Sequence, residues 1–275
     1  MEQSPFVKGL KPLRGTKLRG PCFGLGPVTK EFGYQMAYIG RQGALDAIYD
    51  DCSAGDWVTL PFDHIVESIA VYKDQMYILA SKPSYTVFVR GLGWKSEIFF
   101  SWRHCDSSCD GYNKLIINSD RLIIPDRSKK QLTVYSFKGI ILKQVSCPGY
   151  GIWKSVALCN ADNQSIVVSS TSTSTIFKIN IDTEVVTWIC TSINLPGGVT
   201  CYNGDFMFVS RWNTTKTEIY ILCAKTGKRL GRLIDPMPRA MSSVPDLAMF
   251  GDKLIVLRMD AEEVIAYELK KKEGC

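Results

Sequence analysis

The feature that most constrains this chain is an internal repeat. Short runs rich in Ile, Val, Met, Phe and Tyr recur six times: MAYIG from Met36, MYILA from Met76, LIIPD from Leu122, IVVSS from Ile166, MFVSR from Met207 and LIVLR from Leu254. Their intervals are 40, 46, 44, 41 and 47 residues. A second set follows each at a steady offset: LDAIYD from Leu45, YTVFVR from Tyr85, LTVYSF from Leu132, TIFKIN from Thr175, EIYILC from Glu218 and VIAYEL from Val264. Short runs that are continuously apolar or alternate with period 2 are strands, because a helix repeats its apolar face every 3.6 residues.

Two further strands complete each unit. IAVYKD, LIINSD, VALCNAD, VTCYNGD and LAMFGD come before the first set, each closing on the Asn, Asp or Gly of a tight hairpin. WVTL, EIFF, ILKQV, VTWIC and RLGRLI come after the second set. Four short antiparallel strands in about 43 residues, six times over, predict an all-β six-bladed β-propeller of four-stranded blades in one domain spanning 1–275. The blades fall at about 26–60, 63–104, 110–146, 149–191, 195–234 and 243–269. The last unit runs out after VIAYEL into KKKEGC and lacks a fourth strand, whereas residues 6–20 precede the first unit. An open blade edge is a liability, so 6–20 are expected to supply the outer strand of the last blade and close the ring.

Composition narrows the function classes. Thirty-three Lys and Arg against 27 Asp and Glu give a net charge of +6, which permits an anionic partner without demanding one. Two histidines, His64 and His104, exclude a three-histidine zinc centre. Ten cysteines without a Cys-x-x-Cys pair read as free thiols of a cytoplasmic protein, Cys105 and Cys109 included. The first twenty residues lack a signal-peptide core, and no run of 18 apolar residues exists, so no membrane partner is expected. The sequons at Asn163 and Asn213 would matter only in a secreted protein. Gly24-Leu25-Gly26 and Gly91-Leu92-Gly93 open no helix, which disfavours dinucleotide binding, and neither a Gly-x-Ser-x-Gly elbow nor a Walker loop occurs. The expectation is a monomeric domain that is not an enzyme and holds no cofactor.

Charge is unevenly placed on the repeat. The loops after the second strands contain Arg41, then Lys82, then Arg127 with Lys129 and Lys130, then Arg211 and Lys216, then Arg258; the fourth has Ser and Thr instead. Together they hold eight bases against Asp126, Asp260, Glu262 and Glu263, a balance of +4, while the opposite turns are rich in Asp. Tyr85, Trp153 beside Lys154, and Trp212 beside Arg211 add aromatic faces. Cations that track phosphates and aromatics that stack on bases suit single-stranded RNA. Loop cations are usually solvated, and Trp153 could simply plug between blades. The partner expected at this face is therefore single-stranded RNA or a protein client.

The repeat resembles that of NHL-repeat propellers. LIIPDRSKKQLTVYSFKG (122–139) keeps the strand ending in Asp, the basic loop, the next strand and the Gly turn. Leu195–Gly227 keeps LPGGV, MFVS and a Thr-Gly turn, and Ser155–Asn180 has SVALCNADNQSIVVSS and TIFKIN. The resemblance implies six blades closed by an N-terminal strand. Many such propellers end tripartite-motif ubiquitin ligases and bind RNA or client proteins, so it also implies the recognition part of a ligase, without ligase chemistry of its own. Six-bladed lactonases suggest the alternative of a hydrolase with axial Ca²⁺, for which Glu31, Asp63, Glu67, Asn113, Asn194 and Asp246 would offer oxygens. Asp63-His64-x-x-Glu67 reads more readily as a turn with a solvated rim.

Overall fold

The structure, a computed structural model, describes residues 7–18, 22–31, 34–49, 53–60, 64–81, 84–92, 97–105, 114–118, 120–126, 129–147, 153–159, 164–212, 216–235, 244, 246–259 and 262–271. Its strands begin with β1 (Val7–Lys17). Blade one follows as β2 (Cys22–Glu31), β3 (Tyr34–Arg41), β4 (Ala44–Tyr49) and β5 (Ala54–Thr59). Blade two is β6 (Ile65–Tyr72), β7 (Gln75–Ser81), β8 (Tyr85–Gly91) and β9 (Ile98–Cys105). Blade three is β10 (Ile116–Asn118), β11 (Arg121–Asp126), β12 (Gln131–Ser136) and β13 (Ile141–Ser146). Blade four is β14 (Trp153–Leu158), β15 (Ser165–Ser170), β16 (Thr175–Asn180) and β17 (Val186–Cys190). Blade five is β18 (Pro196–Tyr202), β19 (Phe206–Arg211), β20 (Glu218–Cys223) and β21 (Arg229–Ile234). Blade six is β22 (Asp246–Phe250), β23 (Lys253–Arg258) and β24 (Glu263–Lys271), with β1 as its outer strand.

Each blade is a four-stranded antiparallel sheet in simple up-and-down order, and the fold is the six-bladed β-propeller that the repeat predicts. The strand that closes blade six comes from the other end of the chain: β1 pairs with β24 from Val7↔Lys271 to Lys17↔Glu263. Pro12 is tolerated there because β1 is an outer edge, and a register shift follows it directly. Pro125 sits in an interior strand, yet β10 pairs only as far as Ile123, so its missing N–H costs no ladder bond on that side.

The chain divides into two compact units, residues 20–148 with blades one to three, and residues 1–19 plus 149–275 with blades four to six. In each, the apolar core lies between neighbouring blades. Tyr77, Leu79, Val87 and Val89 of blade two meet Leu115, Leu122, Ile124 and Tyr135 of blade three. Phe208, Ile219 and Ile221 of blade five meet Leu254, Val256 and Ile265 of blade six. Fully burying one such side chain is worth about 1.5–3 kcal/mol, so each interface is strong where it is continuous. First strands come close enough that only glycine fits at certain points. A Cβ on Gly24 would stand 1.9 Å from Glu67 O, and one on Gly198 2.7 Å from Asp246 Cα. Buried serines stitch the same interfaces. Ser169 and Ser210, at one repeat position near the ends of β15 and β19, donate to Gly197 O (2.6 Å) and Val244 O (2.9 Å) on the first strands or their approaches in the next blades.

Candidate functional site

The basic repeat positions fall where second strands turn into third strands. The strands end at Arg41, Ser81, Asp126, Ser170, Arg211 and Arg258. In blade one, Arg41 Nη2 lies 2.8 Å from Asp46 Oδ1 on β4. In blade five, Arg211 Nη1 lies 3.4 Å from Glu218 Oε1, and Arg232 Nη1 approaches the other carboxylate oxygen at 3.6 Å. In blade six, Arg258 is fully buried, with Nε 3.8 Å from Oε2 of Glu263, its cross-strand partner. Blade three inverts the arrangement. Its strand ends on buried Asp126, whose Oδ1 accepts the Lys129 backbone N–H at 3.1 Å, with Lys129 Nζ 3.7 Å from Oδ2. Four hairpins thus place a carboxylate of their own against the repeated cation. A guanidinium already facing a carboxylate has less charge left to offer a phosphate.

Arg258 also belongs to a buried polar set joining blades five and six. Its Nη1 donates to Thr217 Oγ1 at 3.3 Å. The Tyr267 hydroxyl stands 2.9 Å from the same oxygen and donates to Asp235 Oδ2 at 2.8 Å, and the Asp235 N–H donates to Thr217 O at 3.0 Å. All four side chains are inaccessible to solvent. Groups so deep persist only when paired, and here the pairing ties two blades together.

Tyr85 is similarly internal. Its ring lies in the core between blades two and three, and its hydroxyl donates to Glu67 Oε1 at 3.0 Å. The ring therefore packs and positions a buried carboxylate, where the sequence suggested a stacking platform. His104 is buried between Tyr135 Oη, 2.8 Å from Nδ1, and Pro125 O, 3.4 Å from Nε2. A carbonyl can only accept, so Nε2 carries a proton, and in the neutral imidazole Tyr135 donates to Nδ1. Burial pushes its pKa below the ordinary value, opposed by Asp126 and the Pro125 carbonyl and assisted by Lys129.

Among the predicted site residues, Lys129, Lys130 and Lys216 are exposed. Trp212 is half-buried and its backbone N–H donates to Leu195 O at 2.7 Å. Lys82 and Arg127 lie outside the described residues, as do the side chains of Trp153 and Lys154 on β14. Of the oxygens considered for calcium, Glu67 accepts from Tyr85, and the Asp246 carboxylate accepts the Leu247 N–H at 2.9 Å. Asn194 is exposed and accepts the Ser174 hydroxyl at 3.2 Å. Asp63, Asn113 and the Glu31 side chain lie outside the described residues. No group of three or more His, Cys, Asp or Glu side chains able to hold a metal occurs among the described residues.

Exposed apolar residues stand on outer strands of both units. Phe99 (58% exposed) and Phe100 (39%) stand on β9; Ile140 (62%), Ile141 (54%) and Leu142 (54%) lead into and begin β13. Val185 and Ile189 are exposed at β17, and Ile234 ends β21. These are fourth strands, hydrogen-bonded along one edge only. The sequence carried a signal for them. EIFF and GIIL place apolar residues side by side, and a strand with period 2 cannot turn adjacent side chains to the same face.

The fold and these surfaces define a six-bladed β-propeller. No protein-family model and no curated protein matches the sequence. Solved structures match in fold. A chain described under a mitotic checkpoint complex superposes with a TM-score of 0.68 at 9% identity, covering 96% of this chain and 93% of its own. BamB from Moraxella catarrhalis superposes with a TM-score of 0.56 at 12% identity, covering 94% and 100%. Identities this low carry the fold alone.

Proposed function

We propose that this chain is a non-catalytic recognition module whose partner is a protein. The carrying observation is the contrast between its two kinds of surface. Most described basic residues at the repeated hairpins face carboxylates of the same blade, whereas the outer strands leave Phe99, Phe100, Ile140, Ile141 and Leu142 exposed. An RNA site needs cations and aromatic faces directed to solvent; a protein site needs apolar area that water leaves readily. Propellers commonly serve as interaction scaffolds, and one fold neighbour is described as belonging to a complex.

The repeat resemblance extends this reading. As an NHL-like propeller, the chain would recognise clients for a larger cytoplasmic assembly such as a ubiquitin ligase. Exposed Lys129, Lys130 and Lys216 favour single-stranded RNA as the second reading. The two separate by affinity purification of the full chain after chemical cross-linking, with and without nuclease. A protein recovered in constant stoichiometry after nuclease treatment supports the protein reading. Partners that all disappear with nuclease overturn it in favour of RNA. The calcium hydrolase alternative predicts a melting temperature raised by Ca²⁺ and lowered again by chelator.

A further inference from the structure

The outer strands of blades two and three belong to the same compact unit, and each carries exposed apolar residues. Phe100 stacks on Trp102 with ring centroids 6.0 Å apart. The Trp102 indole lies flat against the turn before β13, where a Cβ on Gly139 would come within 2.7 Å of its Cγ. Beyond that glycine stand Ile140, Ile141 and Leu142. Trp102 thus bridges β9 to the turn before β13 and sets the spacing of Phe100 from the aliphatic run. Both strands end their sheets, and among the described residues no strand pairs with their outer edges.

We propose that the edge of β13 is a docking surface for an extended peptide of a partner protein, one that alternates apolar and acidic residues and adds along β13 beside Phe100. The proposal rests on the protein-recognition reading and names its surface. Strand addition lets backbone hydrogen bonds supply affinity while alternate side chains supply specificity. Charge selects the occupant. Among the described residues, Arg103, Lys138 and Lys143 lie on or beside these strands against Glu97, three bases to one acid. The adjoining turns are neutral, Lys73 beside Asp74 and Arg121 ion-paired with Asp120 at 3.3 Å. An acidic peptide gains from this balance. A second copy does not, because isologous pairing would bring the same three bases against their counterparts, and Lys on a strand edge is a device that opposes self-pairing.

The test selects random 12-residue peptides, displayed on phage, against the immobilised full chain, then measures the winners by fluorescence anisotropy. Enriched peptides should combine alternating apolar residues with Asp or Glu. They should bind an Ile140→Asp/Leu142→Asp variant at least tenfold more weakly, with its melting temperature unchanged, and bind Lys129→Glu/Lys130→Glu like the parent. If the double variant loses its cooperative melt, Leu142→Ser serves in its place at the same exposed position. Peptides that bind parent and variant equally overturn this surface and leave the protein reading standing. No enrichment overturns it too, and the nuclease-treated purification then decides whether the broader reading fails as well. A parent chain that sediments as a dimer, with the variant a monomer, assigns the edge to a second copy and overturns the peptide.

Discussion

Arg258 and Glu263 stand directly opposite each other across the β23–β24 hairpin, with Nε 3.8 Å from Oε2 and the arginine sealed from solvent. A charge this deep is costly to bury and costlier to strand. Removing one member of a buried pair typically destabilises by about 3–5 kcal/mol, because the other is left uncompensated. Arg258→Met should therefore cost about 3 kcal/mol, since Glu263 keeps some access to water. Urea unfolding checks the value. Adding Glu263→Gln to Arg258→Met should recover part of the loss, and a loss unchanged by the second substitution would place the cost in Thr217 and its partners.

Trp188 of β17 packs on the Gly227 turn of the next blade as Trp102 of β9 packs on the Gly139 turn. Gly227 has φ +68, and a Cβ there would come within 2.4 Å of Trp188 Cε3; the indole is held in turn by Nε1 donating to Ala224 O at 3.2 Å. Gly227→Ala should cost about 2–4 kcal/mol, combining the left-handed backbone penalty with overpacking. Gly251 has φ +54 and nothing within 4 Å of its would-be Cβ. Gly251→Ala should cost only about 1 kcal/mol, and the difference between the two measures the tryptophan dock.

Stability should depend on pH through His104. Its folded pKa is depressed by burial, so the unfolded chain binds the proton more readily. The contribution is then complete above the ordinary histidine value of about 6.5 and declines as pH falls below it toward the folded value. Urea midpoints measured from pH 7.5 to 5 should fall, and His104→Gln should flatten that part of the profile. A parallel fall in parent and variant would assign the effect to other groups.

Removing residues 1–20 should expose the whole outer edge of β24, which β1 covers from Lys271 to Glu263. At about 0.5–1.5 kcal/mol per lost hydrogen bond, the loss is several kcal/mol, enough to lower the melting temperature by ten degrees or more or to cause aggregation. A synthetic peptide spanning residues 6–20 should restore the melt in trans. Unchanged stability after deletion would contradict the clasp.

The strands were legible because the repeat shows all four runs of most units, and because residues 6–20 offer the run that the sixth unit does not show. Side-chain roles at the strand ends were not. Arg211 and Glu218 are separated by a hairpin loop of unspecified register, so the sequence shows two charges but not a 3.4 Å pair. Tyr85 fits a strand start equally well with its ring inward or outward; only the packing of blade three against blade two turns it toward Glu67. The docks of Trp102 and Trp188 on glycine turns were hidden for the same reason, since each joins different blades. EIFF reads as a strand, and the outward phenylalanine implied by its broken alternation emerges once β9 is known to be an edge.

The central claim is that the repeated cations hold hairpins together while protein recognition uses apolar edges. Its most direct measurement is the affinity of the full chain for random-sequence single-stranded RNA at 50 and 200 mM salt, beside Lys129→Glu/Lys130→Glu/Lys216→Glu. The account predicts weak non-specific binding, with a Kd on the order of 10⁻⁴–10⁻⁶ M at physiological salt. Nanomolar binding at 200 mM salt that the triple reversal abolishes, with the melting temperature unchanged, would contradict it.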